Sequence, residues 1–408
     1  FQYRPLWSVG GAWHIMREKF WKGRASWMDN LTFRLTYGIG GNVPKDAGPY
    51  LTLEAARYNQ WSRDFASAIK NPPNPTLRWE KTATTNFGID FAFFGNRITG
   101  TLEFYNKHSS DLLANREADP TLGWRKVTLN YGTMYNRGVE FSLSSSNIKT
   151  NDFAWSTTLN FGYNKNKLID IDDSDINVFG ITSGNASVKG YPLGAVFSYQ
   201  YAGLDEKDGT PQYYVDGGKN VSKTVTALSD IVYSGTRIPK YNGALSNNFT
   251  YKNFNLSLMF VYYGGHVLRG EAAPFLSVPP TTNVNRDILN RWQQPGDEKR
   301  ANVTPAFTGY SLDATTVRHP WYAADVHVIK GDYIKLRDLS VTYNFDRTLI
   351  EKCGMGSLAL TLQVQNLLTW HANNEGIDPE AFGTFGYGWG QRSIPNPTTW
   401  TIGLSAKF

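Results

Sequence analysis

Four carboxylates, Asp170, Asp172, Asp173 and Asp175, stand within six consecutive residues of a polar stretch. Oxygen ligands at that density have the chemistry to hold Ca2+, yet the stretch lacks the glycine and the final glutamate of an EF-hand loop, so solvated loop charge is the competing reading. His319 and His327 are close enough to share a loop, but two imidazoles do not fill a tetrahedral metal site. Gly38-Ile39-Gly40-Gly41 begins like a phosphate-binding loop and lacks its last glycine, which leaves a flexible loop entry. The sequence holds no Gly-x-Ser-x-Gly elbow, Walker A string or His-Glu-x-x-His pair, and no serine can be matched to a histidine base. Aromatic side chains offer more. Trp370, Phe382, Phe385, Tyr387 and Trp389 crowd one segment, and Tyr191, Tyr199, Tyr201, Tyr213 and Tyr214 another. Such rings stack on sugars or grip a partner protein; the alternative is an interfacial girdle or loops packed on one another. The chemistry on offer is binding. No enzyme activity, catalytic residue, resident cofactor or metal centre is expected, calcium at the aspartate cluster being the one alternative weighed.

The elements that carry these side chains read as strands. Trp400, Ile402, Leu404, Ala406 and Phe408 alternate with Thr399, Thr401, Gly403, Ser405 and Lys407, and Leu358, Leu360, Leu362 and Val364 alternate with Ser357, Ala359, Thr361 and Gln363. Period two puts the apolar set on one face of a sheet. The pattern predicts eleven strands, near 5–14, 30–39, 82–93, 97–106, 133–145, 153–163, 239–250, 254–264, 332–345, 356–367 and 398–408. Connections at Gly95-Asn96, 149–152, Lys252-Asn253 and 346–356 are tight or modest, whereas 40–81, 107–132, 164–238, 265–331 and 368–397 are long and rich in Gly, Pro, Asn and Tyr. The link 15–29 is intermediate, and its Trp, Lys and Met content predicts a short amphipathic helix.

Short and long connections in alternation mark an outer-membrane barrel, and strands of about ten tilted residues cross the hydrocarbon layer. If the last strand ends in the periplasm, all five long connections fall outside the cell. A soluble sandwich or propeller has shorter strands and seldom places aromatics so regularly on its exposed side. On the opposite face Arg34, Asp90, Glu103, Glu140 and Lys335 or Arg337 lie in phase with small polar residues, which predicts a wet or protein-plugged lumen. Between Leu336 and Leu339 the apolar phase changes, and a β-bulge near Arg337-Asp338 would reconcile the two halves. Single-chain bacterial barrels have even strand numbers, and an open edge leaves backbone groups unpaired in lipid. Partner strands are therefore expected outside this chain; eleven is half the strand number of plugged transporters, about 22.

Composition agrees. The 408 residues are 19% charged and 14% aromatic, with aromatic and β-branched residues spread throughout, which excludes a disordered chain. The longest greasy patch, 256–263, is too short for a membrane-spanning helix. Forty-one basic and 35 acidic residues are mixed along the chain for a net charge of +6, and no nucleic-acid-binding module is present, so no nucleic-acid partner is expected. Cys353 is the single cysteine, which permits no internal disulfide. The chain opens at Phe1 without a targeting segment, so a mature or truncated fragment is expected.

Specific strings now matter. Asn74-Pro75-Thr76-Leu77-Arg78-Trp79-Glu80-Lys81 is followed by Asn86, Gly88, Asp90 and Phe91, by Asn96-Arg97-Ile98-Thr99-Gly100, and by Tyr105 and Asp111-Leu112-Leu113. Further on come Asn136-Arg137-Gly138-Val139-Glu140, Lys330-Gly331-Asp332-Tyr333 with Lys335 and Arg337, Gln365-Asn366-Leu367, and Gly376-Ile377-Asp378-Pro379-Glu380. In this order they resemble the C-terminal half of SusC/RagA-type TonB-dependent outer-membrane transporters, over almost the whole chain. The chain departs from the pattern at 394–399, where many relatives carry an arginine. Two positions have plain physical roles: Gly95-Asn96-Arg97 makes a hairpin turn, and Gly138 admits a neighbouring backbone or bulky side chain. The resemblance implies an all-β fold, a transmembrane antiparallel barrel of which residues 1–408 supply about eleven C-terminal strands of a 22-stranded plugged barrel, with long extracellular loops and short periplasmic turns. It implies an N-terminal plug and the remaining strands elsewhere, and location in the outer membrane of a Gram-negative bacterium. The implied function is active import of an oligosaccharide or oligopeptide, energised through TonB and capped by a SusD-like surface lipoprotein. A passive porin or surface-binding barrel without TonB coupling is the alternative. The aromatic segment of Trp370, Phe382, Phe385, Tyr387 and Trp389 is then the candidate contact for substrate or lid.

Overall fold

The computed structural model describes residues 5–21, 24–42, 48–67, 69–122, 124, 126–171, 176–276, 279–281, 283–309, 318–384 and 390–408. Eleven strands form one antiparallel sheet in sequence order: β1 (Trp7–His14), β2 (Met28–Asn42), β3 (Glu80–Phe93), β4 (Ile98–Glu117), β5 (Lys126–Lys149), β6 (Phe153–Asp170), β7 (Tyr241–Tyr251), β8 (Phe254–Gly264), β9 (Tyr333–Asn344), β10 (Ser357–His371) and β11 (Thr399–Lys407). All eleven predicted segments are strands. In this order β1 and β11 each have one neighbour. No helix among the described residues is long and apolar enough to cross a membrane.

Residue contacts divide the chain into two units, 1–142 with 162–175 and 188–192, and 143–161 with 176–187 and 193–408. In the first unit, Leu35 pairs with Phe87 and Phe87 with Phe104, and the Phe33, Phe87 and Phe104 rings stack at 6.1 and 6.3 Å on one exposed face. The other face is ionic. Arg34 donates to Asp90 at 2.7 Å and to Glu103 at 2.7 Å, lying across Gly88, where a side chain would collide with its guanidinium. The predicted partition into an apolar and a polar face is thus realised across β2–β4. Gly138 does what the sequence requires of it: a Cβ there would run into the Tyr163 carbonyl and the Tyr105 hydroxyl.

In the second unit, Leu256, Leu258 and Phe260 face Val341, Leu339 and Leu336. The register shifts between Met259 and Phe260, leaving Arg337 as the extra residue on β9, so the predicted bulge is present where the apolar phase changes. Across β9 and β10, Gln365 pairs with Asp338 and Leu368 with Leu336, so Asn366 and Leu367 oppose Arg337. The packed apolar cores lie outside the large sheet, in the long connections: Val178, Tyr199, Tyr213, Ala323 and Ala324 form one cluster, Leu204, Trp292 and Ala306 a second, and Phe275 with Trp321 a third. Tyr201 packs against all three.

Two expectations need correction. The link 15–29 is no amphipathic helix. Among its described residues only Ile15–Arg17 is helical, as one 3-10 turn, because Glu18 adopts an extended backbone and the chain then closes i→i+3 bonds at Trp21, Arg24 and Met28 instead of propagating a ladder. The connection 107–132 is mostly strand, since β4 runs to Glu117 and β5 starts at Lys126. These strands outlast the length a bilayer requires and form an extended hairpin beyond it.

Candidate functional site

The polar face of the second unit is a concave wall. Ser246, Asn248, Ser257, Arg337, Asp338 and Gln363 are among the residues lining a space of about 600 Å3. Gln363 donates to Asp338 at 2.5 Å, and the wall presents amide, hydroxyl and charged groups around the apolar side chain of Met259. Such a lining takes water and polar solutes.

At the long-loop end of this wall an ion cluster ties a loop to the bulge. Lys335 is 2% exposed and donates at 2.8 Å to both Asp378 and Glu380. The Tyr333 hydroxyl donates to Glu380 at 2.9 Å, and Arg337 bonds Glu380 as well as Asn366 Oδ1, the latter at 2.9 Å. Burial would raise the Glu380 carboxyl, but the bonds from Arg337, Lys335 and Tyr333 outweigh it and hold it down to about 2. The loop is pre-shaped to arrive there. Asn373 brackets Ile377 with two bonds of 2.9 and 3.0 Å, Ile377 is 1% exposed, and Asp378 accepts from the Glu380 amide across Pro379, a helix-start arrangement. Asn366 sits in left-handed backbone (φ 54°), a conformation an Asx side chain tolerates, and its carbonyl accepts from Thr398 at 2.9 Å at the entry to β11.

The first unit has a parallel device. Arg78 grips the Asp111 carboxylate at 3.0 and 2.5 Å, and Asp111 too is left-handed (φ 55°). Asn130 accepts from the Arg78 amide and donates to the Arg78 and Asp111 carbonyls, all at 2.7–2.8 Å. Asn74 reaches the Thr128 carbonyl at 2.7 Å, and Glu80 accepts from the Leu113 amide at 3.0 Å. In both units, motif strings far apart in sequence prove to be partners, each pair pinning a connection where it leaves its strand. Sequence reasoning missed these pairings, along with Asn130 and Asn373, because nothing in a single chain says which string meets which.

The predicted contact residues separate. β10 extends through His371, so Trp370 stands on that strand, pairing with Ile334 and sharing the exposed face of Leu368. Phe382 is half-buried in the hairpin of Phe382–Thr384 and Gly390–Arg392, its ring over Gly390. Phe385, Tyr387 and Trp389 lie outside the described residues, as do Asp172, Asp173 and Asp175; Asp170 pairs with Lys189 at 2.9 Å. Of the second aromatic set, Tyr199 and Tyr213 are buried in the loop cores. The two histidines are each engaged separately: His319 Nε2 meets the Thr182 hydroxyl at 2.8 Å, and His327 stands edge-on to Trp321 at 4.4 Å. Among the described residues, no three His, Cys, Asp or Glu side chains gather in a metal-binding group.

A sheet with one apolar and one polar face, clamped at the base of its long loops, narrows the comparison. The profile of the TonB dependent receptor-like, beta-barrel family matches residues 6–367. The chain belongs to that family. It is accordingly part of an outer-membrane β-barrel, with its long connections on the extracellular side. It is similar to TonB-dependent receptor P3 of Formosa agariphila, at 27% identity over 97% of this chain and 41% of that protein. It is also similar to TonB-dependent receptor SusC of Bacteroides thetaiotaomicron, at 26% identity over 98% of this chain and 40% of that protein. A solved structure of the RagAB peptide transporter superposes with a TM-score of 0.77 at 23% identity, over 97% of this chain and 43% of that one, which shows the shared fold. The chain thus spans about two fifths of the length of the relatives it matches.

Proposed function

We propose that this receptor barrel actively imports a polar oligomer, an oligosaccharide or oligopeptide, with energy delivered through TonB and with a SusD-like surface lipoprotein closing over the extracellular loops. The concave polar wall around Arg337, Asp338 and Gln363 carries the reading, because its size and hydrogen-bonding groups suit a hydrated oligomer and a movable plug. In this reading residues 1–408 supply the C-terminal half of the barrel, with the plug and the other strands contributed by the rest of the protein. The single neighbours of β1 and β11 support it, since an open edge in lipid leaves backbone groups unsatisfied at several kcal/mol each. The extracellular connections hold their own packed cores and are clamped to the sheet, which gives a lid a firm platform. The hairpin of Phe382 and the adjoining Phe385, Tyr387 and Trp389 are the proposed contacts to substrate or lid. Trp370, on the face of Leu368, is assigned instead to the interfacial girdle. The substrate undergoes no covalent change, and no cofactor takes part. Uptake of labelled oligomer by cells carrying the full-length receptor tests this: deleting the TonB-contacting segment should abolish uptake, and undiminished uptake would establish a passive pore instead.

A further inference from the structure

Arg269 is 4% exposed within the extracellular loop cluster of the second unit, where its guanidinium donates to the Phe197 carbonyl at 2.8 Å and the Ala324 carbonyl at 3.4 Å. Both acceptors are neutral. A guanidinium has five N–H donors and a charge that burial makes costly unless it is matched. Neither Arg269 nor Arg237 forms an ion pair with an acid among the described residues, and Arg237 makes no side-chain hydrogen bond to them. The two arginines line one cavity of about 20 Å3, together with Thr182, Ser183, Gly184 and Phe197. That space admits about one water or one monatomic ion.

The rest of the lining competes for neither arginine. The Thr182 hydroxyl donates to the Val178 carbonyl at 2.7 Å and the Ser183 hydroxyl to the Gly180 carbonyl at 3.2 Å, so both are committed, and among the described residues no carboxylate lines the cavity. Gly184 keeps the wall open: its backbone is left-handed (φ 77°), and a Cβ there would stand 3.3 Å from the Arg237 guanidinium. Burial, and after it the charge of Arg237, pulls Arg269 down to about 10 against a smaller opposing pull from Tyr199 and Asp325, neither of which forms an ion pair with it. Arg237 is exposed and leaves a route from solvent.

We propose that Arg237 and Arg269 bind a chloride-sized monovalent anion in this cavity and that the anion holds the loop cluster together. It neutralises Arg269 without drawing a carboxylate out of the clamps, and the cavity volume favours a single-atom ion over phosphate.

Full-length receptor crystallised in bromide tests this by anomalous diffraction. The expected result is a bromide in contact with both guanidiniums. In Arg237→Gln the half-saturating bromide concentration should rise about tenfold, the equivalent of one lost charge-assisted bond. Hydrogen exchange of 195–199 in the wild-type receptor gives a second reading that needs no variant: it should be faster in gluconate than in chloride at equal ionic strength. An empty cavity in bromide, an unchanged half-saturation in a folded Arg237→Gln, or equal exchange in the two salts would each overturn the proposal.

Discussion

Replacing Lys335 with methionine removes the central cation of the loop clamp while keeping most of its apolar stem. Asp378 and Glu380, each 2.8 Å from the ammonium, then face one another with only Arg337 and the Tyr333 hydroxyl to compensate. Breaking a buried pair by deleting one partner costs about 3–5 kcal/mol. Because the Asp378 and Glu380 side chains keep 15% and 22% exposure, water relieves part of this, and about 3 kcal/mol is the expected loss. The loss should stay local, since the strand pairing of β9 with β8 and β10 is untouched. Hydrogen exchange of the full-length receptor reads it directly at the Ile377 amide, which is buried in the docked loop and bonded to Asn373 at 3.0 Å. About 3 kcal/mol corresponds to roughly a hundredfold faster exchange by local opening. Lys335→Arg, which retains the charge, should exchange within about tenfold of wild type. If Lys335→Met left the Ile377 amide as protected as in wild type, the cluster would not be what holds this loop.

Other outcomes follow from the same geometry. Asn130→Ala deletes three side-chain bonds that join Arg78 to Asp111, and should lower the stability of that rim by about 3 kcal/mol, seen as easier proteolysis near Leu113. Gly138→Val forces a side chain into the Tyr163 carbonyl and the Tyr105 hydroxyl, so the receptor should fail to reach the heat-modifiable form seen on gels. The 408 residues expressed alone should likewise give no heat-modifiable, protease-resistant barrel. His327, half-buried with its Nε2 enclosed, is pulled down to about 3 from an ordinary value near 6.5 by desolvation and then by the charge of Arg269, so it folds neutral. Its contribution is complete above about pH 6.5 and is lost as pH falls toward 3, and in His327→Phe the acid loosening of the loop cluster, followed by hydrogen exchange, should be reduced.

The strands were legible because lipid on one side and water on the other impose strict alternation, and even the bulge at Arg337 showed as a break in that phase between Leu336 and Leu339. Turn chemistry was legible at Gly95 and Asn96, both in left-handed backbone, whereas the left-handed Phe94 beside them was not. The loops were not. Tyr199 and Tyr213 carry the same aromatic signal as a ligand-stacking surface, and only tertiary structure shows that they fill a loop core. Strand ends beyond the bilayer were equally hidden, since no lipid enforces alternation there, and Trp370 therefore moved from a loop to a strand face. The strings around Lys335, Asn366 and Glu380 were visible as composition, but their convergence depends on a bulge and a loop closure that no local pattern encodes.

Spin labels placed one at a time along 399–407 and 357–364 of the full-length receptor in lipid bilayers test the two-faced wall most directly, through accessibility to dissolved oxygen and to a water-soluble nickel chelate. Leu360, Leu362, Ile402 and Leu404 should be open to oxygen and shielded from nickel, with Thr361, Gln363, Thr401 and Gly403 reversed, in strict alternation. Nickel access at Leu360, Leu362, Ile402 and Leu404, or no alternation at all, would contradict a sheet that meets lipid on its apolar face.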